Sequence, residues 1–301
     1  MTNSEGAGPA LAQRAGETLG LEHEAEIDGY LATLRERLGK DCLSDFAFSN
    51  LYLFRATHAY RYLPGPYPCV AGTAYDGTRH LLPLFDLASA PFHDMRALLA
   101  GHDCFFPIAA ETAARLDRNR FILSASGDDA DYIYPAENFR SYRGELLRKK
   151  RNLMQQLLGS TPVHAHFLTP ERMNDALQVL EQWMRDKGKA AGEADALPCR
   201  EALQLSSHFG FESMIYYVDN APAGFLIAQR LSASVAVMRF AKGNDAYKGI
   251  YQYMFHHYCM HTKDIAWINF EQDLGLANFR QTKRSYQPSA MLAKTRVRIS
   301  A

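Results

Sequence analysis

Twice along this chain, short strand-like pieces alternate with helix-like pieces, and a strongly cationic helix separates the two series. After Ser44 the pieces CVAGTAYDG, RHLLPLF, CFFPIA and RFILSAS alternate with FHDMRALLAG and AETAARLDRN, with turn residues between them. A second series runs VHAHFL, TPERMNDALQVLEQWMRDKG, CREALQLSSHFG, ESMIYYV, AGFLIAQRL, SVAVMRFAKG, GIYQYMFHHYCMHTK and IAWINF, then a closing helix and strand. Such pieces bury their apolar faces as sheets flanked by helices, so the pattern predicts an α/β fold built from two similar units, with a boundary near Gly159. DNAPAG reads as the turn of a hairpin and the glycine of SSHFG as a helix C-cap.

The ends of the elements set the expected organisation. Residues 1 to about 20 are rich in Gly and Ala without a period and read as a loose tail. EAEIDGYLATLRERLG then places Ile27, Leu31, Leu34 and Leu38 on one helical stripe. The expected divisions are a tail and helix over 1–40, a first unit over 41–158 and a second over 159–301, with AAGEADALP as a loop inside the second.

Composition narrows the class of partner. The chain has 301 residues, 47% of them hydrophobic, enough to bury one large core or two ordinary ones. Lys plus Arg and Asp plus Glu both number 33, so no global field draws it to nucleic acid or an acidic membrane, and such a partner must be met by a local patch. Five scattered cysteines contain no CxxC and suggest neither a disulfide framework nor a zinc knuckle. No basic-then-apolar leader opens the chain and no membrane-length apolar run occurs, so a soluble, cytoplasmic protein is expected.

The stretch WINFEQDLGLANFRQTKRSYQP, Trp267 to Pro288, carries the first candidate chemistry. A strand runs into Glu271 and Asp273, and the helix after them puts Phe279, Lys283 and Tyr286 along one face beside Arg280 and Arg284. An ammonium among apolar side chains persists only when paired, which makes Glu271 or Asp273 its natural partner. Two readings follow: a structural ion pair locking strand to helix, or a site in which one carboxylate takes a proton while Lys283 or Tyr286 stabilises an oxyanion.

A second segment concentrates positive charge. Between Arg140 and Arg151 six cations (Arg140, Arg143, Arg148, Lys149, Lys150, Arg151) face one acid, Glu145. Leu146, Leu147, Leu153, Met154, Leu157 and Leu158 are expected to form the apolar stripe of that helix. The cations suit phosphate groups, or else form a solvated face balanced by acids such as GDDAD. In FAKGNDAYKGIYQYM a strand, a turn holding Lys248 and Gly249, and a helix N-terminus make a further place for a pyrophosphate, or an ordinary tight turn. It matches neither the P-loop nor the dinucleotide fingerprint. His257 with His261, and His164 with His166, are spaced to share a face without an evident third ligand, so no metal site is assigned. No G-x-S-x-G elbow occurs, which disfavours a covalent hydrolase.

Four blocks in one order, SDFAFSNLYLFR, DYIYPAENFRSYRGELLRKKRN, AYKGIYQYM and NFEQDLGLANFRQTKRSYQP, resemble the C-terminal domain family of phosphatidylglycerol lysyltransferases, from about Asp41 to Arg296. The resemblance implies two tandem GNAT-like (acyl-CoA N-acyltransferase-like) mixed-sheet units, the second used for acyl transfer. In the lysyltransferases the donor is an aminoacyl-tRNA and the acceptor a lipid head group. Position by position it implies a basic helix at Arg143, Lys149, Lys150 and Arg151, a phosphate-facing turn at Lys248 and Gly249, and an acidic strand end at Glu271 and Asp273 followed by Arg280 and Lys283. The membrane module of the lysyltransferases has no counterpart in this sequence, which weakens the case for a lipid acceptor.

The expectation is therefore a transferase that moves an aminoacyl group from aminoacyl-tRNA, or an acyl group from acyl-CoA, to an amine or hydroxyl on a small molecule, peptide or lipid head group. Glu271 or Asp273 would be the base, Lys283 and Tyr286 would lie near the carbonyl, and no metal or obligatory cofactor is needed. The rivals are a non-catalytic module that binds a phosphate-bearing ligand or an RNA end, and an N-acetyltransferase using acetyl-CoA.

Overall fold

The computed structural model describes residues 16–189 and 195–300; the tail through residue 15 and most of the expected AAGEADALP loop lie outside the described residues. The chain begins with β1 (Glu17–Thr18), α1 (Glu24–Leu38), α2 (Phe48–Leu53), β2 (Arg61–Leu63), β3 (Cys69–Thr73) and β4 (Arg79–Pro83). It continues through α3 (Phe92–Leu98), β5 (Cys104–Ala109), α4 (Ala110–Ala114), β6 (Phe121–Ala125), β7 (Asp131–Pro135), α5 (Glu137–Ser141) and α6 (Arg148–Ser160). Then come β8 (Val163–Phe167), α7 (Met173–Asp186), α8 (Ala196–Gln204), β9 (Glu212–Val218), β10 (Ala221–Arg230) and β11 (Val235–Gly243). The last elements are α9 (Ile250–His261), β12 (Trp267–Asn269), α10 (Ala277–Arg284), β13 (Ala290–Leu292) and β14 (Lys294–Ile299).

The strands form two mixed sheets of seven, in the orders β1-β2-β3-β4-β5-β14-β6 and β13-β7-β12-β11-β10-β9-β8. This is the two-unit α/β architecture that the alternating series predict, in the tandem GNAT-like form that the resemblance implies. Each sheet has one parallel pair, β4 with β5 and β11 with β12, and the other pairings are antiparallel. Strand pairing does not follow a division at 158/159. Strand β7 lies in the second sheet, between β12 and β13, and β14 inserts into the first, between β5 and β6.

Burial explains the layers. Buried side chains of α5, α6 and α9 cover one face of the second sheet, and those of α7 and α8 cover the other. The α1 stripe Ile27, Leu31, Leu34 and Leu38 is buried as the period predicts, and it packs with Val70 and Leu82 of the first sheet and Val235 and Val237 of the second. That shared core makes the two sheets one packed body. The DNAPAG turn is as expected, since Asp219 and Asn220 both have positive φ, the geometry of the tight turn joining β9 to β10.

The α6 stripe differs from expectation. Leu147, Met154 and Leu157 are buried, but Leu146 is 74% exposed and Leu158 45%. Leu146 precedes the first helical turn, so the 3.6-residue period does not reach it. All five cysteines are buried and free.

Candidate functional site

The site is built where two parallel strands part. β11 and β12 pair only from Val235 to Val237 against Trp267 to Asn269, after which β11 continues to Gly243. The chain after β12 stays with β7 instead: Phe270 N–H donates to the Tyr132 carbonyl at 2.9 Å and Tyr132 N–H to the Glu271 carbonyl at 3.2 Å. Two residues past the last pair on each strand stand Arg239 and Glu271, and their side chains meet across the gap at 2.6 Å.

Arg239 is buried in the middle of an apolar strand and satisfied on every side. Besides Glu271 it donates to the Ser44 carbonyl at 2.9 Å and, through Nε and Nη2, to Gln229 Oε1 at 3.0 Å. A buried guanidinium is tolerated only with such pairing. Glu271 adopts a positive φ of 58°, a conformation few non-glycine residues take, and its N–H donates to Asn269 Oδ1 at 2.7 Å. Its side chain keeps 20% exposure. Burial pushes its carboxyl above the usual glutamate value, against the opposing pull of Arg239 and Lys283.

Beneath this pair lies a buried ionic network that joins the two sheets. Asp131, at the start of β7, accepts from Ser44 N–H at 2.7 Å, Asn269 Nδ2 at 3.0 Å and Lys294 Nζ at 2.8 Å. Lys294, at the start of β14, also pairs with Asp45 at 2.6 Å and donates to Gln272 Oε1 at 2.7 Å. Facing carboxylates hold the Lys294 ammonium above its ordinary pKa, although burial alone would lower it.

The structure treats the expected catalytic residues unequally. Asp273 is fully buried and fully used: it accepts from Tyr132 Oη at 2.6 Å, Gly275 N–H at 2.9 Å, and Arg280 Nε and Nη2 at 2.9 and 3.0 Å. The Arg280 fork brings its carboxyl down to about 2. Lys283 pairs with neither acid. Its three donors go to backbone carbonyls, those of Phe270, Glu271 (3.2 Å) and Gln272 (2.6 Å), so the ammonium clamps the loop that carries Glu271. Burial lowers its pKa to about 8. The expected ammonium–carboxylate pair is replaced because Arg239 and Arg280 claim the two acids. Tyr286 is buried among Phe139, Phe255 and Phe270, with its hydroxyl accepting from Gln252 Nε2 at 2.8 Å. Of the four, Glu271 alone keeps a solvent-facing carboxylate.

The expected phosphate-binding residues divide into two places. α6 crosses the start of α9 so closely that a Cβ on Gly249 (φ +98°) would lie 2.2 Å from the Leu153 carbonyl oxygen. This contact, rather than an open cradle, explains the glycine. It brings the turn holding exposed Lys248 beside α6, where Lys149 is exposed and Lys150 Nζ lies 4.0 Å over the Tyr286 ring; exposed Arg143 precedes that helix. Burial there lowers the Lys150 pKa to about 8. Arg151 donates to the Tyr142 carbonyl at 2.6 Å. Arg280 stands apart, clamped to Asp273 and Asp128.

Sequence reasoning missed Arg239, Asp131, Asn269 and Lys294. The signal was present as single polar residues inside apolar strands (VAVMRFAKG, DYIYP, WINF), which must be partnered once buried. Among the described residues no group of three His, Cys, Asp or Glu is placed to hold a metal ion, and no helix is long and apolar enough to cross a membrane.

A parted parallel strand pair backed by helices on both faces defines an acyltransferase-like GNAT fold, with the second sheet carrying the candidate site. The chain belongs to the phosphatidylglycerol lysyltransferase C-terminal family, whose sequence model matches residues 37–296. Among solved structures it is similar to a conserved protein of unknown function from Bacteroides thetaiotaomicron VPI-5482, at 19% identity and TM-score 0.78, covering 95% of this chain and 99% of that one. It is similar also to the C-terminal domain of a lysylphosphatidylglycerol synthetase from Agrobacterium fabrum, at 13% identity and TM-score 0.61, covering 92% and 93%. L-PGS from Bacillus licheniformis matches at 14% identity and TM-score 0.59, covering 95% and 93%. No curated protein matches the chain.

Proposed function

We propose that this protein is an acyltransferase that moves an aminoacyl group from aminoacyl-tRNA, or an acyl group from acyl-CoA, to an amine or hydroxyl acceptor at the parting of β11 and β12. One observation carries the reading: Glu271, at the end of β12, holds a partly exposed carboxylate of raised pKa, fixed by buried Arg239 at 2.6 Å. A carboxylate whose pKa is raised in this way is better suited to accept a proton than an ordinary glutamate.

The chemistry asks little else. The donor carbonyl is already activated as an ester or thioester, so the protein must hold the acceptor against it. As the acceptor nitrogen or oxygen bonds to the carbonyl carbon, its proton passes to Glu271. The C–O or C–S bond then breaks, and the departing alkoxide or thiolate takes that proton from Glu271. Arg239 orients the carboxylate, and Lys283 holds the loop backbone. Asp273 and Tyr286 are read as structural, because both are buried and partnered. Arg143, Lys149, Lys150 and Lys248 form the surface offered to donor phosphates.

Family membership supports the aminoacyl-tRNA donor. A cationic pocket without an available carboxylate would have favoured a purely binding module, and half-buried Glu271, which keeps 20% side-chain exposure, argues against that. The test is a thermal-shift panel of coenzyme A, acetyl-CoA and charged tRNAs, since a ligand that binds only the native state raises its stability, followed by transfer assays with Glu271→Gln. Stabilisation by a charged tRNA that weakens steeply with salt, with transfer lost in the variant, supports the reading. Transfer undiminished in Glu271→Gln overturns it.

A further inference from the structure

A groove lies away from this site, at the far edge of the second sheet. It has a volume of about 540 Å³, within the range of small-molecule sites. β8 is four strands from β12 in the sheet, roughly 19 Å at the usual strand spacing. Several separate elements line it: His164 and His166 on β8, Tyr217 on β9, Glu171 and Arg172 in the turn before α7, and Asp175 in the first turn of α7.

These groups converge with opposite charges left open. His164 sits directly opposite Tyr217 across the β8–β9 ladder, and the His166 ring is edge-on to Tyr217 at 5.8 Å. Tyr217 Oη donates to Asp175 at 2.6 Å and fixes that carboxylate on the wall. A hydrogen bond from the Thr169 hydroxyl holds the Glu171 carboxyl below its usual range, so it is ionised at neutral pH. Arg172 is half-buried, and among the described residues no carboxylate comes within ion-pair distance of its guanidinium. It makes a long 3.4 Å approach to Thr169 Oγ1 and lies beside the Tyr217 hydroxyl.

We propose that this groove binds a small zwitterion, a molecule bearing one carboxylate and one ammonium such as a free amino acid. The carboxylate is taken by Arg172 with the imidazoles beside it, and the ammonium by Asp175 and Glu171. A lone anion drawn to Arg172 would stand beside two carboxylates, and a lone cation drawn to those would face the guanidinium. A molecule that carries both charges satisfies both walls. The lining offers aromatic rings but little aliphatic surface, which suits a short ligand. This site is independent of the reading of Glu271 given above.

The test titrates the full chain with glycine and L-alanine, and separately with acetate, methylammonium and inorganic phosphate, following the histidine ring resonances by NMR. His164→Asn and His166→Asn assign the signals. Saturable shifts of both histidines by the amino acids, with acetate and methylammonium at least about tenfold weaker, are expected. Arg172→Leu and Asp175→Asn should each weaken the amino acids by about tenfold or more while leaving the melting temperature near wild type. Should Arg172→Leu fail to fold, Arg172→Gln keeps the stem and removes the charge. The proposal is overturned if amino acids at millimolar concentration shift neither histidine, if acetate or phosphate binds as well as glycine, or if loss of the Arg172 charge changes nothing.

Discussion

Arg239 and Glu271 close, at 2.6 Å, the gap left where β12 follows β7 away from β11. The pair therefore belongs both to the core and to the candidate chemistry, and the two roles separate by substitution. Arg239→Met leaves Glu271, the Gln229 side chain and the Ser44 carbonyl without their donor. Chemical denaturation should show a loss of about 3–5 kcal/mol, the cost of stripping one partner from a buried charge pair.

Glu271→Gln removes the proton acceptor but keeps the shape and a hydrogen-bonding group. Transfer should fall by roughly 10²- to 10⁴-fold when assayed below the melting transition, and the melting temperature should fall as well, because buried Arg239 loses its charged partner. In the wild type the rate should fall on acidification along a limb lying above the ordinary glutamate range. The carboxyl is raised by burial, and its protonated form cannot accept the proton. Assays of transfer rate against pH check both statements.

Lys283→Met has a different signature. It strands the carbonyls of Phe270 and Gln272 and leaves that of Glu271 with Tyr132 N–H alone, so stability should drop by about 2 kcal/mol or more and activity should fall with it. Retention of full stability would mean that those carbonyls find other donors.

Asp273 predicts the acid limb of folding. Its carboxyl is held at about 2 by Arg280, below the roughly 3.9 of an unfolded aspartate. The folded state thus binds fewer protons between those values. Its contribution is complete above about 4 and is lost as pH falls through about 2. Urea melts across this window should show a slope that Asp273→Asn reduces, the remainder coming from other paired carboxyls such as Asp131.

Gly249→Ala tests the crossing of α6 over α9. The added carbon would lie 2.2 Å from the Leu153 carbonyl, at a φ that alanine disfavours. A destabilisation of roughly 1–3 kcal/mol is expected from the strain alone, together with weaker binding of phosphate-bearing donors because Lys248 and the cations of α6 are pushed apart.

Much of this was readable from residue order. The α1 stripe, the alternating elements and the DNAPAG turn obey local periodicities of 3.6 and 2, which the chain displays without knowing its neighbours. The acidic strand end was equally visible, and Glu271 and Asp273 stand where expected. Which cation each acid takes was not visible. Lys283 lies on the helical face expected to meet them, but Arg239 arrives from β11, where only the sheet order brings it, and Arg280 folds back from α10. Gly249 carries a similar lesson, since a glycine before a helix serves a phosphate or a neighbouring backbone, and spacing does not distinguish them. Lys294 is the extreme case: it pairs with Asp45, which stands near the opposite end of the sequence.

The insertion of β14 between β5 and β6 has a consequence for biosynthesis. Among the described residues, edge strand β6 pairs with no strand other than β14. While the polypeptide is still emerging from the ribosome, the first sheet therefore has a vacant slot that only the last strand fills. The amino-terminal half cannot mature ahead of the rest, and a fragment ending before Lys294 should expose the facing edges of β5 and β6 to chaperones and proteases.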